Sequence, residues 1–270
     1  GLSALRLRRR FEVDQETFDL LVRLGPKIGA RVSEDKKSVR VFQAQSPASS
    51  VIVVPGEKFF VRETPEPDDV ARIVGEVRNA AKMSDLVFLA GHGHQPGNQS
   101  QVPPSWQQGF ARQCIDAGAA AYFTHGPHQM RGIEVYKGRP IFYSLGNFIF
   151  QNETIDPLPT DGYEKYDLPP TALPGDFYDK RPWQTAANPE DDAVWYESVL
   201  AVPSFTRGGM TGLKLYPLDL SQTAPRSQRG TPRIARGAKA EKIIKRLAAL
   251  SAPYGTVIEF RDGIGVWVSK

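Results

Sequence analysis

Apolar and basic residues alternate from Leu5 to Val13, and this period of two predicts a strand with one solvated face. Asp14 follows as an N-cap for a helix that carries Phe18, Leu21 and Leu24 on one side. Residues 25–67 are weakly patterned, and only Val51–Val54 and Lys58–Arg62 read as short strands. Val70, Ile73, Val74, Val77 and Ala81 recur at helical spacing, behind an N-cap at Asp68 or Asp69. Asp85-Leu86-Val87-Phe88-Leu89-Ala90 is a continuous apolar run, the mark of a strand buried on both faces. A helix from about Ser105 to Asp116 follows, with Trp106, Phe110, Cys114 and Ile115 on its apolar side and Gly118 as its stop. Ala119 to Thr124 is a second buried strand.

Beyond this point the pattern changes to hairpins. Ile133–Tyr136 and Pro140–Tyr143 flank Lys137-Gly138-Arg139, and a turn at Ser144–Asn147 leads to a further strand at Phe148–Phe150. Val199–Phe205 and Leu213–Leu220 form another hairpin, around Arg207-Gly208-Gly209. A Pro/Arg/Ser-rich linker and a helix over Ala240–Leu250 come next. A last hairpin pairs Thr256–Phe260 with Ile264–Val268. Residues 152–193 hold seven prolines and ten acidic residues against three basic ones, which predicts a long insertion loop. Tyr163, Tyr166, Phe177, Tyr178 and Trp183 give that loop something to bury, so an ordered course is expected. The whole reads as an α/β fold in a single domain over residues 1–270, with hairpins added at the C-terminal end.

Composition narrows the function classes. A net charge of +4 spread over 270 residues gives no argument for nucleic acid. The arginines do cluster, at Arg6–Arg10 and from Arg226 to Arg236, and a basic surface can attract a polyanion. No apolar run approaches the length of a membrane-spanning helix. Cys114 is the only cysteine, which rules out an intrachain disulfide and predicts a small core residue. The chain starts at Gly1-Leu2-Ser3 without an initiator Met or a signal-peptide pattern, so its natural N-terminus is expected upstream.

All four histidines fall in two clusters, Gly91-His92-Gly93-His94 and Thr124-His125-Gly126-Pro127-His128. Each cluster directly follows a predicted buried strand, and a helix lies between them. Strands joined by a crossover helix run parallel, so both clusters are expected at one carboxyl edge of a sheet. Imidazole is the commonest side-chain metal ligand and a proton carrier near neutral pH. A shared site for zinc, manganese or iron is the reading this convergence favours, with rings that only hydrogen-bond to a metal's ligands, or plain loop residues, as the alternative. Asn147 is a candidate to bind a substrate oxygen or a metal-bound water, or else a turn asparagine. Arg131 is a candidate clamp for an anionic group, or else a salt-bridge partner. Ser144 has no base near it in sequence and is no candidate nucleophile.

Three stretches carry a resemblance. Ala117-Gly118-Ala119, Thr124–His128, and above all Gly132-Ile133-Glu134-Val135-Tyr136-Lys137-Gly138-Arg139-Pro140-Ile141-Phe142-Tyr143-Ser144-Leu145-Gly146-Asn147-Phe148-Ile149-Phe150 closely resemble the CapA family of poly-γ-glutamate capsule biosynthesis proteins. That family is related to the calcineurin-like metallophosphoesterases. Asp85 to His94 resembles the preceding strand with its metal-binding histidine, and Arg236 to Gly255 the closing segment. The resemblance implies a metallophosphoesterase-like β-sandwich flanked by helices, with a dinuclear centre of divalent Mn, Zn or Fe at the sheet edge. It makes His92, His125 and His128 metal ligands and His94 a ligand or proton donor, with His94 or His128 as proton shuttle. Asn147 belongs to the motif.

The same resemblance exposes a gap. Family members begin with a strand ending in a metal-binding Asp and then carry an Asn-Asn-His motif, and this chain has neither. It looks like the C-terminal two-thirds of a family member, whose missing residues would come from an upstream segment or another chain. The function implied is a metal-dependent hydrolase acting on a γ-glutamyl polymer or a phosphoester. The alternatives are a non-catalytic binding or assembly factor for an anionic capsule polymer, held by Arg131, Lys137, Arg139 and the arginine clusters, and a general phosphodiesterase or nucleotidase. The expected partner is an anionic polymer or a small anionic substrate. The resemblance leaves the compartment open, since members of that family are often associated with the cell envelope and a soluble cytoplasmic location is equally compatible.

Overall fold

The computed structural model describes residues 3–41, 51–151, 159–180, 193–206 and 208–269. The chain divides into two compact units. One is Gly1–Lys82 with Pro104–Ala117, the other Met83–Pro103 with Gly118–Lys270.

The first unit holds five strands: β1 (Leu7–Val13), β2 (Arg31–Val32), β3 (Val39–Val41), β4 (Val51–Pro55) and β5 (Phe60–Pro65), in the order β2-β3-β4-β1-β5. β1 runs parallel to β4 and antiparallel to β5. The short β2 and β3 lie in the stretch that carries too few residues per strand for a period to show. Helix α1 (Gln15–Leu24) starts as the sequence predicts, with the Asp14 carboxylate accepting from the Thr17 N–H at 2.8 Å. Its Phe18 packs with Val13, Ala30, Val39 and Val53 in a small apolar core.

Helix α2 (Pro67–Ala81) begins differently from the prediction. Glu66 takes the N-cap position, and Pro67 opens the first turn, where its fixed φ fits and its missing N–H costs nothing. Asp69 is therefore released from capping. It binds Arg6 instead, accepting from its backbone N–H and its Nε, both at 2.9 Å. Helix α3 (Ser105–Asp116) has the predicted bounds and buries Phe110, Ala111, Cys114 and Ile115. Burial pushes the Cys114 thiol up to about 12, so it stays protonated and inert.

The second unit contains two sheets. The first comprises β6 (Phe88–His92), β7 (Ala121–His125), β8 (Ile133–Tyr136) and β9 (Arg139–Phe142), in the order β6-β7-β9-β8. The second contains β10 (Glu197–Thr206), β11 (Gly209–Asp219), β13 (Val257–Arg261) and β14 (Ile264–Val268), ordered β10-β11-β14-β13, with β12 (Arg233–Ile234) beside β11. The three hairpins fall where the sequence predicts them. Both sheets share one core with helix α6 (Gly237–Ser251): Ile133 and Phe142 from the first, with Met130 just before β8, meet Val199, Leu213 and Leu215 from the second, and Ile243, Ile244 and Leu247 from the helix. The architecture is thus mixed α/β, as expected.

Three expectations change here. β6 is not buried on both faces. It is the outer strand of its sheet, its residues alternate between exposed and half-buried, and Phe88 is 51% exposed. An edge strand has one neighbour fewer, so an apolar run does not guarantee burial. Phe148–Phe150 forms no strand, and Phe148 and Ile149 are exposed. Within 152–193, the described part is helical in places rather than loop throughout, with α4 (Thr160–Glu164) and α5 (Pro174–Lys180). The expected aromatic packing is present, since Phe177 touches Tyr163, Tyr166 and Tyr178. Trp183 lies outside the described residues.

Leu247 is fully buried in the shared core. Leu247→Ala is expected to lower unfolding stability by about 2–5 kcal/mol, measured by urea denaturation. A loss below about 1 kcal/mol would mean that α6 is not seated in this core.

Candidate functional site

β6 and β7 pair in parallel, and the register runs Phe88↔Ala121, Leu89↔Tyr122, Ala90↔Phe123, Gly91↔Thr124, His92↔His125. The two clusters therefore leave the same carboxyl edge side by side, as the strand–helix–strand spacing predicts. The backbone tightens the junction, with the Gly93 N–H donating to the His125 carbonyl at 3.0 Å. Gly126 makes this closeness possible. It sits at φ +128°, and a Cβ there would lie 2.4 Å from the Gly93 carbonyl oxygen.

Two imidazoles are turned toward each other. His92 Nε2 lies 3.2 Å from His94 Nε2, and both side chains face solvent. His94 is held from its other nitrogen, with Nδ1 2.6 Å from the Asn98 Oδ1. His128 is held in the same way, its Nδ1 2.9 Å from the Asn147 Oδ1. The Asn147 amide nitrogen donates to the carbonyls of His128 and Trp195, at 3.1 and 2.9 Å, which fixes its oxygen toward the ring. An amide oxygen only accepts, so Nδ1 carries the hydrogen in both histidines. When neutral, each ring then bears its lone pair on Nε2. This is the arrangement by which a carbonyl oxygen behind the ring orients a ligating or proton-accepting imidazole. A lone pair on His94 Nε2 calls for a proton or a cation between it and His92.

His128 also sits in the left-handed region, at φ +56°, and lies nearly parallel to the Trp195 ring with centroids 5.3 Å apart. Phe150 packs against the same imidazole at 5.6 Å. The His94 and His128 rings are 5.8 Å apart. His125 is half-buried, and burial, with the charge of His92 as the second cause, holds it below the usual imidazole range.

The loop that carries Asn98 is anchored from beneath. Arg131 is 1% exposed, and its guanidinium donates to the carbonyls of Ser100 at 3.0 Å and Gly97 at 3.3 Å. Gln129 donates to the Asn98 carbonyl at 2.5 Å. Arg131 is thus buried rather than an exposed anion clamp, and among the described residues it donates to carbonyls instead of forming a salt bridge. Its side chain points inward because its backbone N–H is tied to the Ser144 carbonyl and its neighbours Met130 and Gly132 are buried. Burial brings its pKa down to about 10. Asn147 likewise spends its polar atoms on His128 and backbone, which makes it an orienting residue. Ser144 is buried and its hydroxyl accepts from the Gly146 N–H, consistent with its exclusion as a nucleophile.

Asn98 and Trp195 escape sequence reasoning. Asn98 follows Pro96-Gly97 and reads as turn composition. Trp195 sits beyond the acidic insertion, where nothing local ties it to a histidine. Among the described residues, no group of three or more His, Cys, Asp or Glu side chains is arranged to hold one metal ion. The donor chemistry fits a two-histidine pair at His92 and His94. It does not by itself supply the carboxylate-bridged dinuclear centre that the resemblance implies.

Comparison with known proteins agrees with the motif. Residues 27–152, which include all four histidines, Asn98, Arg131 and Asn147, match the model of the family described as bacterial capsule synthesis protein PGA_cap. The uncharacterized protein y4sH of Sinorhizobium fredii is 34% identical over 281 aligned residues, covering 98% of this chain and 58% of that protein. The PGA biosynthesis protein CapA of Bacillus subtilis is 39% identical over 84 residues, 31% of this chain and 22% of its own length. The capsule biosynthesis protein CapA of Bacillus anthracis is 36% identical over 86 residues, 31% of this chain and 20% of its own length. The chain therefore spans little more than half of the curated relative that it matches end to end.

Two outcomes are expected at this edge. An NMR titration should place the His125 midpoint below the ordinary 6.5, since burial penalises the charged ring. A midpoint at or above 6.5 would contradict the burial that lowers it. Gly126→Ala should cost about 1–3 kcal/mol by thermal unfolding and shift the His92 and His94 ring signals. Wild-type stability and unshifted rings would contradict the close approach of Gly93 and Gly126.

Proposed function

Because this chain belongs to the bacterial capsule synthesis protein (PGA_cap) family, we propose that it serves in making or processing a glutamate-type capsule polymer, with the histidine edge as its reactive centre. The reading of that edge as a metal-dependent hydrolase site rests on one observation above others. Two imidazoles are held at Nδ1 by asparagine oxygens, which leaves the Nε2 of each free to act as the basic nitrogen, and the His94 Nε2 faces the His92 ring at 3.2 Å. His92 and His94 would hold a divalent ion, with His125 and His128 beside them. Such an ion, when bound, supplies a Lewis acid and lowers the pKa of a coordinated water.

The chain's own residues do the rest. Asn98 and Asn147 fix which nitrogen of each ring is basic. His128, wedged against Trp195 and Phe150, keeps one orientation in which its Nε2 accepts a proton from the attacking water and returns it to the leaving group. Arg131 and Gln129 keep the Asn98 loop from sagging away. The scissile group is an amide of a γ-glutamyl polymer or a phosphoester, the two electrophiles such a centre serves.

A non-catalytic polymer-binding role is the second reading, favoured by the absence of a third ligand among the described residues. The test uses the purified protein with manganese. Glutamate polymer and a generic phosphoester are offered in parallel, and metal content is measured by elemental analysis. His92→Ala and His94→Ala should each abolish turnover, and Asn98→Ala should lower metal affinity or activity about 10–100-fold. A protein that takes up no metal and keeps its activity in His94→Ala would overturn the hydrolase reading. Turnover of the phosphoester alone would make the chain a phosphodiesterase.

A further inference from the structure

The strand register of the first unit draws a line of arginines across its sheet. Arg31 on β2 stands opposite Arg40 on β3, Arg40 opposite Ile52 on β4, Ile52 opposite Arg10 on β1, and Arg10 opposite Arg62 on β5. Residues directly opposite one another share a face, so these four guanidinium groups belong to one side of the sheet. The other side carries Phe11, Val13, Val39 and Val53, which are or adjoin the apolar core. All four arginines are exposed. With strands about 4.8 Å apart, the row spans roughly 20 Å.

The charges on this face are only partly balanced. Arg62 is paired with Glu12, and Arg8, two residues along β1, with Glu66, both at 2.6 Å. Among the described residues Arg10, Arg31 and Arg40 make no ion pair. Like charges directly opposite each other in a sheet oppose folding. This sheet places two such pairs in one line, Arg31 with Arg40 and Arg10 with Arg62. By contrast, Arg6 and Arg9 in the same arginine-rich strand region are each matched to an acid, Asp69 and Glu63. Solubility would not require an aligned, unneutralised row. A multivalent anion lying across the strands would relieve it.

We propose that this sheet face docks a linear polycarboxylate, a chain with one carboxylate per repeat, which the row of guanidinium forks can grip bidentately. The choice of carboxylate over phosphate rests on the capsule-polymer reading above, and the face itself rests on register and charge alone. It lies in a different unit of the chain from the histidine edge. It is a holding surface for the polymer, separate from the reactive centre.

The experiment measures binding of fluorescent poly-γ-glutamate to the purified protein from about 50 to 200 mM salt, with duplex DNA as a competitor. The triple variant Arg10→Ala, Arg31→Ala, Arg40→Ala should bind about tenfold or more weakly at low salt, with a shallower salt dependence. Its melting temperature should stay level or rise, because opposed like charges are removed. The triple Arg→Lys variant should bind between the two, keeping charge but losing the fork. Arg261→Ala, an exposed arginine of the second unit, should bind as wild type. If the wild type binds the polymer and the alanine triple binds equally well, this face is not the surface, and the polymer reading survives. If the wild type does not bind the polymer, both fall. If DNA displaces the polymer at equal charge concentration, the face is a general polyanion surface and the carboxylate assignment is overturned.

Discussion

The histidine edge depends on the pairing of β6 with β7, parallel and in the register that sets His92 opposite His125. A slip of one residue would turn every side chain of β6 to the other face of its sheet and separate the two clusters. The register is locked at its end by the Gly93 N–H on the His125 carbonyl and by the bare Cα of Gly126, which lets the two backbones close. The glycines that alternate with the histidines are thus part of how the rings are brought together.

On that frame, the polar groups do one job at two places. Asn98 and Asn147 each present an oxygen to a histidine Nδ1, and each is held by groups that have no chemistry of their own: Gln129 and Arg131 behind one, the carbonyls of His128 and Trp195 behind the other. A buried arginine donating to carbonyls is costly unless its hydrogen bonds are made. Its use under this loop ties the position of Asn98 to the core beneath. The consequence is a pair of imidazoles whose basic nitrogen is chosen by the fold rather than by solvent.

Much of this was legible in the sequence, because strong patterns carry it. The cap at Asp14, the bounds of Ser105–Asp116, the three hairpins and the convergence of the histidines all follow from local period and strand–helix–strand order. Other features depend on what lies alongside a segment, which no local pattern records. Asp85–Ala90 is apolar enough for a buried strand, yet it became an edge. Asp69 looks like a cap until Pro67 starts the helix early and Arg6 claims it. Arg131 has the composition of a surface clamp, but its backbone pairing turns it inward. Trp195 reaches His128 from beyond the acidic insertion, and Arg10, Arg31 and Arg40 form a row only once the register of five strands is known.

The central physical claim is that asparagine oxygens fix the tautomers of His94 and His128. Long-range proton–nitrogen NMR on ring-labelled protein, recorded above the pKa of both imidazoles, reads this directly. The expected result is that both rings carry hydrogen on Nδ1 and a lone pair on Nε2, and that Asn98→Ala and Asn147→Ala each release one ring to the other form. Nε2-protonated rings in the wild type, unchanged by either substitution, would contradict it.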